Sequence, residues 1–278
     1  MALNNLIYCS TGTMIGRINN WDESLIYRFC PLIRADGFEL MMVKAFYDKR
    51  DRVISAVKKS GCKFPLIHFE KEIGIYLASP EREDKEKALE LFRFNCEVGK
   101  EIGAERCVFH LWSGIVSDTA LENNLSMLDE LYSICEEHSL TLLIENVPCA
   151  SGVSPLSNLK RIRKIKKDAG FVYDTRFGAL HGDNRRLYEK DFFEKESIVH
   201  LHVSGYGGPV GDFSSLRPIL HLHEGIVDYS LLLPSVFASY NGSVTNESPG
   251  AREIDCDLDA INDDIRFLRC VSTEGTAP

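Results

Sequence analysis

Short apolar runs alternate with longer amphipathic segments along this sequence, and the alternation is the feature that most restricts its fold. Eight runs have the length of a strand, and segments with apolar residues at helical spacing lie between them. The predicted strands span residues 6–9, 37–42, 65–68, 106–110, 141–145, 170–174, 198–203 and 243–247. Because an intervening helix returns the chain to the same edge of a sheet, the pattern indicates a parallel sheet covered by helices.

The intervening segments predict helices and, with the strands, a single (β/α)8 barrel. The predicted helices span 21–33, 50–59, 81–102, 120–138, 156–167, 229–237 and 258–270. Gly61, Gly103 and Gly170 fall where a glycine commonly ends a helix. We therefore predict an α/β fold, with one TIM barrel domain over residues 1–278. A doubly wound sheet is the alternative, but residues 10–16 lack the glycine spacing of a phosphate-binding loop.

The composition disfavours several classes of protein. The chain has 278 residues, of which 44% are hydrophobic and 26% charged, as in ordinary globular proteins. A formal net charge of −9 disfavours nucleic acid as a partner. The sequence has no signal-peptide pattern, no apolar run of about 18 residues, and nine cysteines without a CxxC pair. We expect a cytoplasmic protein with reduced thiols, a small-molecule substrate and no membrane partner, while the oligomeric state stays open, a homo-oligomer included.

Six predicted strands end in an imidazole or a carboxylate. These residues are His68, His110, Glu145, Asp174, His202 and Glu247. The loops after barrel strands form the open face of the barrel, so the six side chains are expected at one rim. Since side chains alternate along a strand, His200 would also point inward, one layer below His202.

Four of these residues form a candidate metal site. The candidate ligands are Glu145, Asp174, His202 and Glu247. Buried carboxylates on neighbouring strands repel each other unless a cation ligates both, and this set suits a divalent metal ion such as Mn²⁺, Zn²⁺, Mg²⁺ or Co²⁺. His68 and His110 would form a second metal site bridged by Glu145, or bind substrate. Glu39 in the second strand either orients the site or forms a core salt bridge.

Two further residues near the predicted rim are candidate substrate contacts. Trp112 could stack on the apolar face of a sugar. Arg176 could pair with an anionic substrate, and the alternative is a salt bridge to Asp174 or Asp183.

The sequence resembles the xylose isomerase-like TIM barrel superfamily over roughly residues 5 to 250. The resemblance rests on the order and spacing of short motifs, which read DGFE at 36–39, LIEN at 143–146, VYDT at 172–175, HLHV at 200–203 and HLHEGIVDY at 221–229. The superfamily includes sugar and sugar-phosphate isomerases and epimerases, inosose dehydratases and the AP endonucleases of family 2.

The resemblance implies metal ligation by the four residues named above and substrate binding by His221. It also implies that Glu145 and Glu247 exchange protons at a carbon beside a metal-bound carbonyl, which is sound general acid–base chemistry. Two departures weaken the AP endonuclease alternative, because it needs further metal ligands. Phe177 occupies a position where the superfamily often has histidine, and residues 203–208 contain no acidic residue.

We therefore expect a metal-dependent isomerase or epimerase of a small sugar, polyol or related hydroxy-carbonyl compound, active in carbohydrate metabolism. Three alternatives stay open. One is a dehydratase or lyase on the same scaffold, another is a metal-dependent phosphodiester hydrolase of the AP endonuclease kind, and the third is a barrel that binds a ligand without turnover.

Overall fold

Eight parallel strands close into a barrel in the computed structural model, which describes residues 5–113 and 118–274, with side chains to residue 272. The strands are β1 (Ile7–Ser10), β2 (Gly37–Met41), β3 (Leu66–His68), β4 (Arg106–Phe109), β5 (Thr141–Glu145), β6 (Gly170–Asp174), β7 (Ile198–Val203) and β8 (Ser243–Asn246). Each strand pairs with the next along the chain, and β8 pairs with β1. The predicted (β/α)8 barrel is confirmed.

Helices cover the outside of the barrel. In the described part of the chain they are α1 (Ser24–Phe29), α2 (Arg50–Ser60), α3 (Glu72–Ala78), α4 (Arg82–Ile102), α5 (Leu121–Leu125), α6 (Leu128–Glu137), α7 (Pro155–Ile165), α8 (Thr175–His181), α9 (Phe192–Glu196), α10 (Tyr229–Phe237) and α11 (Leu258–Glu274). Outward-facing strand residues such as Ile67, Cys107 and Ile144 belong to the apolar core that includes Phe92 and Leu131 of the helices. Among these helices none is both long and apolar enough to cross a membrane.

Two details of the helix prediction are wrong. The predicted helix 120–138 breaks between α5 and α6, where the Ser126 hydroxyl donates a hydrogen bond to the Asn123 carbonyl and competes with the helical pattern. Gly170 does not end a helix, because α7 stops at Ile165 and Gly170 is already paired with Leu143 in the barrel. Gly61 and Gly103 do end α2 and α4, with φ of 67° and 78°.

The barrel interior is apolar over most of one level and polar on the next. We call the apolar level the floor, and it consists of Tyr8, Leu66, Val108, Leu143 and Val172. On the side of β7 and β8 the same level is polar, because His200 lies 2.7 Å from the Ser243 hydroxyl and 2.9 Å from the Thr245 hydroxyl. Since side chains alternate, residues two positions further along these strands also point inward, at the mouth.

Candidate metal centre

The six strand-end residues predicted from the sequence come together at the carboxyl-terminal mouth of the barrel. They are His68 (β3), His110 (after β4), Glu145 (β5), Asp174 (β6), His202 (β7) and Glu247 (after β8), and with Glu39 of β2 we call them the mouth cluster. Four of the six lie two positions after a floor residue, as the alternation of strand side chains requires. The side chains of His110 and Glu247 are 13% and 17% exposed, so they lie towards the open side of the cluster.

Glu145 lies at the centre of the mouth cluster and contacts three imidazoles. Its Oε1 is 2.9 Å from His202 Nδ1, while its Oε2 is 2.5 Å from His110 Nε2 and 3.3 Å from His68 Nε2. His68 Nδ1 lies 2.9 Å from the Phe69 carbonyl oxygen, which accepts its proton. A neutral His68 would then turn the Nε2 lone pair towards a carboxylate oxygen. Two acceptors facing each other in this way require either a proton or a cation between them.

Asp174 offers one free carboxylate oxygen to the same space. Its Oδ1 accepts a hydrogen bond from the Phe177 backbone N–H, which caps α8. Its Oδ2 is buried and has no hydrogen-bond partner among the described residues. The Asn146 side chain bonds both the N–H and the carbonyl of Asp174, so the backbone at this point is fixed from β5.

His202 is held between carboxylates on both ring nitrogens. Nδ1 faces Glu145 and also lies 3.5 Å from Glu247 Oε1. Nε2 lies 3.1 Å from Glu39 Oε2, which also accepts a hydrogen bond from the Thr245 hydroxyl. Histidines that ligate metals commonly donate the other ring N–H to a carboxylate, and this contact fixes the tautomer. If Nε2 of His202 donates its proton to Glu39, Nδ1 keeps the lone pair that can ligate a metal ion.

His202 and Glu145 are charged partners when no cation is bound. Burial opposes the charge of His202, but Glu39, Glu247 and Glu145 outweigh it and raise the pKa of this imidazole well above its usual value. Burial likewise opposes the charge of Glu145, but His202 and His110 hold the pKa of this carboxyl well below its usual range. The two groups therefore stabilise each other's charge.

The pKa values of Asp174 and Glu247 are raised, in contrast to the lowered pKa of Glu145. Burial raises the pKa of Asp174 to about 7, although the Arg176 guanidinium opposes this shift. Burial also raises the pKa of Glu247, against the attraction of His202. The mouth cluster thus contains more carboxylates than its imidazoles stabilise in the charged form, and a bound cation would relieve this excess.

The donor set fits a divalent metal ion. Glu145, Asp174 and His202 each offer a ligand atom, and these atoms lie within 4.8 Å of one another. His68, His110 and Glu145 form a second group that meets the same limit and shares Glu145 with the first. Carboxylate oxygens mixed with imidazole nitrogens are typical ligands of Zn²⁺, Mn²⁺ and Co²⁺. Asp174 Oδ2 accepts no hydrogen bond from the described residues, so it is the atom that such an ion would most clearly satisfy.

The other predicted site residues differ in their access to the mouth. Arg176 lies next to the cluster, with Nη2 at 3.8 Å from Asp174 Oδ2. Trp112 is fully buried, and its Nε1 donates a hydrogen bond to the Val147 carbonyl, so its contact with substrate stays a prediction that would require the ring to be uncovered. His221 Nδ1 lies 2.7 Å from Asp264 Oδ2 of α11, and its role in substrate binding also stays a prediction.

Solved structures with the same fold include sugar epimerases and a zinc-soaked protein. D-Allulose 3-epimerase from Methylomonas sp., solved in complex with D-allulose, aligns over 96% of this chain and 97% of its own, with a TM-score of 0.67 and 13% identity. The TTHB071 protein from Thermus thermophilus, solved after soaking with ZnCl₂, aligns over 99% and 100%, with a TM-score of 0.70 and 15% identity. At these identities the similarity shows the fold alone.

Sequence comparison adds a relative and a family. The uncharacterized protein MJ1311 of Methanocaldococcus jannaschii is 26% identical over 187 residues, which span 63% of this chain and 61% of that protein. The family model described as xylose isomerase-like TIM barrel matches residues 32–270, which include the whole mouth cluster. The chain belongs to the xylose isomerase-like TIM barrel family.

Proposed function

We propose that this protein is a metal-dependent isomerase or epimerase of a small sugar, polyol or related hydroxy-carbonyl compound. The observation that carries the proposal is the approach of two carboxylates to one imidazole nitrogen. Glu145 Oε1 and Glu247 Oε1 lie 2.9 Å and 3.5 Å from His202 Nδ1, and the two residues lie at the ends of different strands, β5 and β8. Removal of a proton from one face of a carbon and its return to the other face uses two such groups around one point.

The chain's own residues divide the work of this reaction. A divalent ion held by Glu145, Asp174, His202 and Glu247 would polarise a carbonyl oxygen and stabilise the negative charge that develops when a neighbouring carbon loses its proton. Glu247 is partly exposed, so it can reach a substrate in the mouth, and it accepts or returns the proton. Glu145 performs the opposite transfer from the β5 side. The low exposure of the cluster excludes most water, which strengthens electrostatic interactions there.

The similarity to a D-allulose 3-epimerase supports a sugar-like substrate, because that protein shares this barrel over nearly its whole length. A dehydratase or lyase would begin with the same proton abstraction and then expel a hydroxyl group. The two outcomes differ in their products, since an isomerase or epimerase conserves the mass of its substrate.

Proton exchange with solvent tests the proposal directly. The protein loaded with Mn²⁺, Zn²⁺, Mg²⁺ or Co²⁺ is incubated in D₂O with a panel of ketoses and ketose phosphates, and NMR follows the loss of carbon-bound proton signals. We expect exchange next to a carbonyl for at least one compound, and a decrease of about 10²- to 10⁴-fold in Glu247→Gln. Glu253→Gln is a matched control, because Glu253 is exposed and lies outside the mouth cluster.

Two results would overturn this proposal. One is a purified protein that contains no divalent ion and binds none when ions are added. The other is exchange that continues at the same rate in Glu247→Gln and Glu145→Gln. A product lighter than its substrate by one water molecule would replace the isomerase with the dehydratase alternative.

Metal-dependent phosphodiester hydrolysis is a second candidate, and one observation favours it. His68 and His110 face Glu145 Oε2, so the structure contains two ligand groups that share one carboxylate. Two metal ions bridged in this way are common in enzymes that cleave phosphate esters. Cleavage of a duplex that contains one abasic site, abolished by a chelator and restored by Zn²⁺, would rank this candidate first. Elemental analysis with an anomalous map complements the assay. A single ion among Glu145, Asp174, His202 and Glu247 would favour the isomerase, whereas three ions would favour the phosphodiester hydrolase, which needs further metal ligands.

A further inference from the structure

Arg176 is a buried cation at the edge of the mouth cluster. It is the second residue of α8, the short helix that begins directly after Asp174. Only 9% of the residue is exposed. Its Nη2 lies 3.8 Å from Asp174 Oδ2, the buried carboxylate oxygen without a hydrogen bond. Any group bound next to that oxygen would therefore also lie near the guanidinium.

The donors of Arg176 are largely unused by the described residues. A guanidinium carries five N–H donors in a planar fork. Nη1 donates to the Leu216 carbonyl oxygen at 3.0 Å, and Nε is buried without a partner among the described residues. The distance from Nη2 to Asp174 exceeds that of a hydrogen bond. A permanently charged group that is buried with few hydrogen bonds is costly unless a further acceptor completes it.

The position of the guanidinium is nevertheless fixed. Its carbon lies 4.7 Å above the centre of the Phe177 ring, as in a cation–π contact. The Phe177 ring in turn lies 6.4 Å from the ring of His110. The hydrogen bond from Nη1 to the Leu216 carbonyl oxygen also fixes the guanidinium. Arg176 is thus held in place by contacts that leave part of its planar fork without an acceptor.

We propose that Arg176 binds an anionic oxygen group of the substrate, a carboxylate or a phosphate, in the same site. This inference rests on the proposed function, because it assigns a substrate class to that site. Carboxylate and phosphate groups match the guanidinium fork with two parallel hydrogen bonds, whereas a sugar hydroxyl offers one acceptor atom. The substrate is accordingly an acidic or phosphorylated hydroxy-carbonyl compound rather than a neutral sugar.

A different role for Arg176 makes a different prediction. If the guanidinium serves only to offset the negative charge of Asp174, its loss changes metal binding and affects neutral and anionic ligands equally. If it binds the substrate anion, its loss removes the preference for anionic ligands and leaves the affinity for neutral ones unchanged.

The test compares three six-carbon probes by calorimetric titration of the metal-loaded protein. The probes are D-fructose (neutral), D-gluconate (a carboxylate) and D-fructose 6-phosphate (a phosphate). We expect at least one anionic probe to bind about tenfold or more tightly than fructose, in line with a charge-assisted bidentate contact. The anion that gains this advantage distinguishes a carboxylate from a phosphate substrate. Arg176→Gln should remove the advantage, and Arg176→Lys should keep part of it.

Matched measurements exclude a folding artefact. Arg266→Gln, an exposed arginine of α11 paired with Asp263, is the control for loss of one positive charge and should keep the wild-type preference. Metal content and thermal unfolding are measured for each variant. The retention of a partial preference in Arg176→Lys keeps the test informative if Arg176→Gln is unstable.

Three outcomes would overturn the inference. They are equal affinity of the wild type for all three probes, no binding of either anion, and an unchanged anion preference in Arg176→Gln. Failure of the proposed function is recognisable separately. A protein that binds anions through Arg176 but catalyses no proton exchange would contradict the isomerase proposal and leave the anion site in place.

Discussion

The floor and the mouth cluster are neighbouring layers of one barrel interior, and they differ in almost every chemical respect. The floor contains Tyr8 and four aliphatic side chains that are at most 4% exposed. Most residues of the mouth cluster lie two positions further along the strands and are carboxylates and imidazoles. They are also largely buried, and the most exposed side chains are those of His110 and Glu247, at 13% and 17%. Burial of the floor removes apolar surface from water and stabilises the barrel. Burial of the mouth cluster opposes its charges and is favourable only when protons or cations balance them.

This contrast shows how a single strand serves both stability and chemistry. Leu143 and Glu145 belong to the same face of β5, and Val172 and Asp174 to the same face of β6. The first residue of each pair packs in the floor, and the second reaches the mouth. Changes in the floor should therefore alter the free energy of unfolding, whereas changes in the mouth cluster should alter metal binding and proton exchange.

The largest effect is expected for Glu145→Gln in the mouth cluster. Glutamine keeps the shape of the side chain but loses the charge that faces His202 on one oxygen and two further imidazoles on the other. We expect metal content below one ion per chain after dialysis, and proton exchange reduced by about 10²- to 10⁴-fold. Elemental analysis and NMR measure the two quantities. Full metal content in this variant would contradict the central place that we give to Glu145.

The sequence predicted the barrel and six of the seven residues of the mouth cluster, and it left the role of Glu39 open. Each of the eight strands was predicted to within one residue at both ends, because strand-length apolar runs are a local pattern. The six strand-end residues followed from the same pattern, since the topology of a (β/α)8 barrel brings strand ends to one face.

The contacts across the barrel were beyond what the sequence could predict. Glu39 meets His202 although the two residues are 163 positions apart, so no local pattern distinguishes this contact from an ordinary core salt bridge. The short helix α8 was not predicted either, because seven residues carry too little periodicity. Because α8 begins directly after Asp174, Arg176 lies beside that carboxylate. A salt bridge between these two residues was one of the alternatives that the sequence left open. The burial of Trp112 likewise depends on how the loops pack.

The next largest effect is expected for Leu143→Ala in the floor. Removing most of a side chain that is 1% exposed leaves a cavity and should reduce the free energy of unfolding by about 2–5 kcal/mol. Urea denaturation measures this loss. Below the unfolding transition the variant should bind metal with the wild-type stoichiometry. A loss of metal from the folded variant would mean that the two levels are not independent.

Metal binding should itself stabilise the folded protein, through the mouth cluster alone. At a free ion concentration about 100-fold above the dissociation constant, the free energy of unfolding should rise by about 2.7 kcal/mol. Thermal unfolding with added Zn²⁺ or Mn²⁺, and again after chelation, measures this shift. We expect the same increase in Leu143→Ala and little or none in Glu145→Gln. An equal increase in both variants would indicate that the ions bind elsewhere on the protein.

The smallest effect is expected for Glu39→Gln, at the boundary between the two levels. Glu39 accepts hydrogen bonds from His202 and Thr245, and its carboxylate would make the imidazole a stronger metal ligand. Glutamine can still accept a hydrogen bond but carries no charge, so we expect metal affinity to fall by about 10- to 100-fold while the ligand set stays complete. Competition with a chromophoric chelator measures the affinity. Glu196→Gln is the matched control, because Glu196 is also buried and pairs with Lys160 and Arg186 outside the mouth cluster. Unchanged metal affinity in Glu39→Gln would mean that Glu39 forms only a core salt bridge. Equal losses of affinity in both variants would point to a general effect of removing a buried charge.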